Sequence, residues 1–403
     1  MFYKIYKSFA SLFTAATVII MGSVFVSEKN LPDNFYISSG SSLSLPARYA
    51  NLFSAEKDSS AFEPVISACE ASYSAKIKLF GLVPVKSVSV SVSDEKTLIV
   101  CGSPFGVKMF TDGVLVVNFS EIETKSGKCC PASEAGLEKG DVIKKVNGKE
   151  VFTNEDVADF IKNSDGNAVE ISVLRGGSEI GLTILPKMLS DESGYKAGFW
   201  VRDSSAGIGT LTFYDPDTKA FGGLGHAVCD IDTGGIIPFS SGKIVPAAIT
   251  KINKGVAGAP GELGGTFVGD DMGTVKINNE TGLYGTLDYE VDGFPAAISH
   301  KQDVYEGAAV IYSTLDGMET AEYDIEIEQI NLSDDSVTKN MIIRVTDEDL
   351  LELSGGIVQG MSGSPILQDG KLVGAVTHVF VNDPTKGFGI FIENMLEKSE
   401  NCK

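Results

Sequence analysis

The chain has 403 residues, with 33 Lys and Arg against 54 Asp and Glu, a formal net charge of −21. Its 43% hydrophobic and 22% charged content is that of a folded chain rather than a disordered one, and its negative charge repels a phosphate backbone, so nucleic-acid binding is not expected. Six Cys and three His, with no C-x-x-C pair, give neither a disulfide scaffold nor a structural zinc ligand set. No cofactor is expected, since the chain has no Walker loop and no G-x-G-x-x-G run after a strand.

Lys4 and Lys7 precede an uncharged stretch, residues 9–26, that ends at Ser27, Glu28 and Lys29. As a helix this stretch is about 27 Å long, close to the thickness of a hydrocarbon core. It is longer than the apolar part of a secretory signal and lacks a clear small-x-small cleavage site. Residues 1–27 are therefore expected to be a cytoplasmic tip and transmembrane anchor, with the lysines inside and the rest of the chain exported. Residues 28–95 read as a connector with Ser-rich pieces. Within it, residues 76–93 alternate apolar and polar, which predicts an edge strand or a stalk.

Residues 96–187 predict a small β-rich domain. Val114 to Val117 is a buried strand, Asn147 and Gly148 form a hairpin turn, and Asn154 caps a short amphipathic helix carrying Val157, Phe160 and Ile161. Two strands then follow around Gly176 and Gly177. The run P-A-x-x-A-G-L-x-x-G-D-x-I-x-x-x-N-G-x-x-V, from Pro131 to Val151, resembles a bacterial PDZ domain. That resemblance implies an extended peptide ligand added as a strand to a sheet edge. Its carboxylate-holding loop is expected at residues 103–107, with Phe105, Gly106 and Val107 as peptide-binding residues. Pro104 removes one amide donor from that loop, which admits an internal peptide as well as a terminal one.

Residues 188–403 contain many short apolar strand candidates. These include a hairpin with an acidic outer face, 321–332 against 340–345, and end in a helix near 391–398. A mainly β double barrel is expected. Its most informative segment sets Ser362 between Met361 and Gly363, after Gly360 and before Pro365. A nucleophilic serine needs such a turn, since small neighbours let backbone amides converge on one point. The amides of Gly360 and Ser362 would form the oxyanion hole. The strand–turn–strand context resembles that around the nucleophile of chymotrypsin-like peptidases. That likeness places Thr377, His378 and Val379 on the wall of the substrate pocket. With Gly356 near the pocket base, no strict Lys or Arg preference is expected.

A serine nucleophile requires a base. Of His226, His300 and His378, His226 lies in a Gly-rich stretch that resembles the surroundings of the base in that group, and it is taken as the base. The orienting carboxylate is open between Asp347, 15 residues before Ser362, and Asp270 or Asp271, 44 and 45 residues after His226.

Taken in order, the anchor, the PDZ-like run, L-G-H-A, V-T-D, G-G-I-V-Q-G-M-S-G-S-P and T-H-V-F-V-N-D-P-T-K-G-F-G resemble the stage IV sporulation protein B family of serine peptidases. The resemblance implies Ser362, His226 and Asp347 as the catalytic residues. It further implies a signalling peptidase exported into the forespore intermembrane space. Such an enzyme processes itself and then cleaves a membrane-bound regulator of an intramembrane protease, leading to activation of the late mother-cell sigma factor. Two other readings of the sequence are a non-catalytic PDZ scaffold and a general extracytoplasmic quality-control protease. The second usually carries its PDZ domain after the peptidase, not before it.

Overall fold

The structure, a computed structural model, describes residues 13–400 apart from 16, 19, 23, 26, 38–42, 58–71 and 93–95. The expected anchor falls partly outside the described residues. Among those described, no helix is long and apolar enough to cross a membrane.

The expected connector contains a folded module of its own. Strands β1 (Asn34–Ile37), β2 (Phe53–Lys57), β3 (Ser72–Leu79) and β4 (Val83–Val92) form a sheet in the order β1-β4-β3-β2. The alternating stretch 76–93 is a hairpin rather than one strand. It reverses at Phe80 and Gly81, both in the left-handed region at φ 51° and 70°. Val88 and Val90 join Leu31, Phe35 and Ile77 in a small core, while the serines between them face outward, as period-two alternation requires. The module is seated on the rest of the chain by polar contacts. Asp334 accepts from the Asp33 amide at 2.7 Å and pairs with Lys301 at 2.8 Å, and the Tyr36 ring stacks on His300. His300 in turn bonds Glu393 at 2.7 Å, so this histidine belongs to the seam.

Strands β5 (Thr97–Val100) and β6 (Pro104–Phe119) lead into the PDZ-like unit. There follow the hairpin β7 (Ile122–Thr124) and β8 (Gly127–Cys129), helix α1 (Pro131–Glu134), and the hairpin β9 (Val142–Val146) and β10 (Lys149–Glu150). Helix α2 (Asn154–Lys162), β11 (Val169–Arg175), β12 (Ser178–Ile184), β13 (Lys187–Met188) and β14 (Tyr195–Lys196) complete the unit. Asn147 and Gly148 make the expected turn, both at positive φ. Thr153, not Asn154, caps α2: its hydroxyl accepts from the Asp156 amide, and Asp156 reaches back to the Thr153 amide in a capping box. Val157 and Ile161 face a core that includes Val114, Val116, Ile143, Val146 and Ile171.

The units on either side of residue 187 share a pair of long strands. Strand β15 (Phe199–Tyr214) pairs antiparallel with β6 along almost all of its length, from Phe199 opposite Phe119 to Thr210 opposite Pro104. Both strands have 16 residues. Their outer halves belong to the PDZ-like sheet. Their inner halves enter a barrel with β16 (Ala220–Gly223), β17 (Phe239–Asn253), β19 (Gly273–Asn279) and β20 (Gly282–Leu287). The ring β6-β17-β19-β20-β16-β15 closes because β6 pairs with both β17 and β15. Strand β18 (Glu262–Phe267) extends β17, and β21 (Phe294–Ala297) pairs β5.

The assignment of Phe105, Gly106 and Val107 to a peptide-binding loop is corrected by this ring. Phe105 is 1% exposed and Val107 3%, and both lie in the core of the first barrel with Met109, Leu211, Phe221 and Ile244. Gly106 lies against the Phe267 ring and Val245, with no room for a side chain. The apolar residues at 105, 107 and 109 are the inward face of a barrel strand, which an isolated Phe-Gly pair does not distinguish from a loop.

The second barrel is built from contiguous chain. It closes as β22 (Gly307–Asp316), β23 (Glu319–Ile330), β24 (Met341–Val345), β27 (Asp383–Phe391), β26 (Lys371–Phe380) and β25 (Pro365–Gln368). The expected hairpin is β23–β24, with Tyr323, Ile325 and Ile327 inward and the intervening acids Glu322, Asp324 and Glu326 outward. Helix α3 (Glu348–Ser354) joins β24 to the segment before β25, and α4 (Ile392–Ser399) closes the chain.

Candidate active site

Ser362 lies in the turn between α3 and β25. Gly360 and Gly363 flank it at φ 99° and 97°, values that favour glycine. The Met361 amide bonds the Val358 carbonyl at 3.1 Å and the Ser364 amide bonds the Met361 carbonyl at 2.9 Å. Among the described residues, the amides of Gly360 and Ser362 have no protein acceptor. These are the two donors the sequence assigns to an oxyanion hole. Left unpaired on this turn, both remain free to donate.

His226 follows β16 in the first barrel, after Leu224 and Gly225 at φ 68° and 67°. The base loop and the serine turn touch. A Cβ on Gly225 would lie 2.9 Å from the Thr377 methyl, and one on Gly363 would lie 2.5 Å from the Leu224 amide. Glycine at these two positions is what lets the barrels meet at the site. His226 Nδ1 bonds the Ala227 carbonyl at 2.8 Å. A carbonyl only accepts, so the proton resides on Nδ1 and Nε2 keeps a free lone pair. Burial pushes the His226 pKa down, partly offset by that hydrogen bond. The ring is therefore neutral at pH 7. The segment after it is clamped by Asn278, which accepts from the Val228 amide at 2.8 Å and donates to the Val228 carbonyl at 3.0 Å.

Ser362 Oγ donates to the Thr377 carbonyl at 2.6 Å. The next residue, His378, holds its ring 4.8 Å from that of His226. His378 keeps a solvent-exposed face. Even so, crowding by protein on its other side, with His226 and the Lys339 ammonium nearby, lowers its pKa to about 4. Of the expected pocket wall, His378 lies against His226 and the Thr377 carbonyl holds Ser362 Oγ. The Thr377 hydroxyl turns away, to the Thr338 and Phe388 carbonyls at 3.2 Å each. Val379 packs against the core of the second barrel.

The structure sets the serine turn against the loop of His226, whereas Asp347 bonds neither. Asp347 caps α3, with Oδ1 accepting from the Leu350 amide at 2.8 Å and Oδ2 from the Asp324 amide at 3.3 Å. It sits at the β23–β24 side of the second barrel, with β27 between that side and the β26 strand that bears His378. Asp270 is exposed, and Asp271 is 3.7 Å from Lys108. Among the described residues no carboxylate bonds His226. The short spacing from Asp347 to Ser362 has a simple cause: both flank α3, so the two are near in sequence without facing the same cleft.

A second concave site was missed from sequence. A groove of about 800 Å³ runs between α2 and residues 195–201, lined by Val157, Ile161, Tyr195, Gly198, Phe199 and Trp200. Trp200 is 61% exposed. The outer half of β15 pairs β6 on one side and faces this groove on the other, the geometry of strand addition. The signal was a second Gly-Phe pair, at 198–199, directly before an alternating strand. It stands after the recognised PDZ run rather than before it.

The profile of the SpoIVB peptidase S55 family matches residues 193–396, just over half of the chain, and that of the PDZ domain matches residues 126–175. Serine protease HTRA1 of Xenopus tropicalis is 40% identical over 57 residues, 14% of this chain and 12% of that protein. Protease RseP of Photorhabdus luminescens is 37% identical over 68 residues, 17% of this chain and 30% of that one. The chain thus spans less than a third of the length of these relatives. Among solved structures, the inactive form of Rv3671c protease aligns over 48% of this chain and 84% of its own, with 12% identity and a TM-score of 0.28.

Proposed function

The chain belongs to the SpoIVB peptidase S55 family, and from that premise we propose that it is a sporulation signalling serine endopeptidase that processes itself and cleaves a membrane-bound regulator of an intramembrane protease. The observation that supports the catalytic part is the contact of the serine turn with the loop of His226, whose Nδ1 is already committed to the Ala227 carbonyl. That tautomer is the one a general base needs.

In the mechanism, Ser362 leaves the Thr377 carbonyl, gives its proton to His226 Nε2 and attacks the peptide carbonyl. The amides of Gly360 and Ser362 receive the oxyanion, each contributing about 3 kcal/mol in comparable sites. His226 then protonates the leaving amine, and water releases the acyl group by the same route. Burial supports the neutral, proton-accepting state of the ring. The PDZ groove at 195–201 is read as the seat of an extended peptide. Membrane attachment through residues 1–27 and placement in the forespore intermembrane space belong to the same proposal, on the uncharged stretch and the family resemblance.

The test pairs two measurements on the full chain. A fluorophosphonate is expected to label wild type and to spare Ser362→Ala, with His226→Ala labelled at least about a thousandfold more slowly. Co-production with the membrane-bound regulator is expected to yield cut regulator with wild type only. Labelling of Ser362→Ala, or regulator cutting that survives in it, would sink the proposal.

A further inference from the structure

We infer that Thr210, on strand β15 of the first barrel, is a positioning residue that joins the serine turn to the base loop. The proposal deepens the serine-peptidase reading and rests on it. Thr210 is 3% exposed and makes three bonds toward the site. Its hydroxyl donates to the Gly360 carbonyl at 2.9 Å, and its amide donates to the Ser362 carbonyl at 3.1 Å. Its carbonyl accepts from the amide of Leu224, two residues before His226, at 3.3 Å. Two residues along the strand, the wholly buried Thr212 donates its hydroxyl to the Gly363 carbonyl at 2.7 Å.

A turn with glycines at 360 and 363 has backbone freedom that its own sequence does not remove. Only the Met361 and Ser364 amides tie it internally. The peptide planes 360–361 and 362–363 are also held from β15 through the Gly360 and Ser362 carbonyls, beside the bond of the Gly363 amide to the Val376 carbonyl at 2.8 Å, and the Ser362 amide lies between them. Holding both planes fixes where that amide points and where Oγ starts. The Leu224 bond brings the base loop into the same register. The backbones approach closely here: a Cβ on Gly363 would run into the Thr210 carbonyl oxygen, and one on Gly209 into Leu224 Cδ2.

The test uses the full chain and compares Thr210→Val, which keeps the shape and loses the hydroxyl, with Thr210→Ser, which keeps the hydroxyl. Thr210→Val is expected to slow fluorophosphonate labelling and kcat by about 10- to 100-fold, as for loss of an aligned oxyanion donor or less, with KM changed less than about threefold, since substrate contacts remain. Thr210→Ser is expected to recover most of that loss. Melting curves recorded alongside, with rates measured well below every Tm, separate positioning from unfolding. Should Thr210→Val not fold, Thr210→Ala carries the same comparison. A folded hydroxyl-free variant that labels at the wild-type rate overturns the proposal, as does a Ser variant as slow as it. An unlabelled wild type beside Ser362→Ala instead removes the peptidase reading, and this proposal with it.

Discussion

The second barrel closes from one contiguous stretch, β22 to β27, whereas the first closes only by borrowing β6 from chain that precedes the PDZ unit. The PDZ unit is therefore an insertion, held at both ends by the paired strands β6 and β15. The same strand β15 lines the α2 groove at Phe199 and Trp200 and bonds the serine turn at Thr210. A barrel closed by a distant strand makes residues far from the site in sequence essential to it. The sharpest break of this comparison sets Phe105→Ala against Trp200→Ala. Phe105 fills the first barrel, so its truncation is expected to cost about 3–5 kcal/mol in urea unfolding and to abolish labelling with it. Trp200, exposed over the groove, is expected to leave stability and labelling alone and to weaken binding of a peptide ligand by at least about tenfold. A Phe105→Ala protein of normal stability that has lost only peptide binding would restore the loop reading and undo the insertion.

In the proposed mechanism the barrels also differ in what they contribute: the first supplies the base, the second the nucleophile and its amides. The state of that base gives the next expectation. Burial is the larger influence on His226 and no carboxylate bonds it among the described residues. A pKa held below the ordinary value of about 6.5 keeps the ring neutral to lower pH. Activity therefore falls only as pH drops below that value, and the acidic limb of kcat/KM for the free enzyme is expected below about 6.5. A limb at 7 or higher would mean that a carboxylate stabilises the imidazolium after all.

Much of the site was legible because its chemistry is local. Ser362 needs Gly360 and Gly363 beside it, and the need is written in consecutive residues. With three histidines in the chain, the glycine surroundings singled out His226, whose loop the structure sets against the serine turn. The hairpin β23–β24 and the strands around Gly176 were read from alternation, which burial on one face enforces. What failed was long-range. That Phe105 lies inside a barrel depends on β17 and β15, more than 90 residues away. Nothing in G-T-L-T-F indicates that its threonines meet carbonyls 150 residues on. The hairpin turn at Phe80 hid because Phe at positive φ is a rare choice for a reversal.

Asp347 draws the finest distinction between the barrels, because a triad acid would have to serve the base of the first barrel from the second. Its two carboxylate oxygens accept from Leu350 of α3 and Asp324 of β23, and the helix it caps leads to the serine turn. A cap requires a short acceptor, not a charge; Asn and Ser serve as well as Asp. An orienting acid requires the carboxylate, and replacing it with Asn costs about 10⁴ in kcat in comparable enzymes. Asp347→Asn and Asp347→Ser are thus expected to hold kcat within about tenfold of wild type and to leave the acidic limb in place, well short of that triad loss. Asp347→Ala is expected to lose about 1 kcal/mol of stability, read as a lowered urea midpoint, through the missing cap. The limb is the most direct readout, because an acid bonded to His226 would raise its pKa. A folded Asn variant that loses a thousandfold, with its limb moved to lower pH, would show that Asp347 reaches the base in the working enzyme.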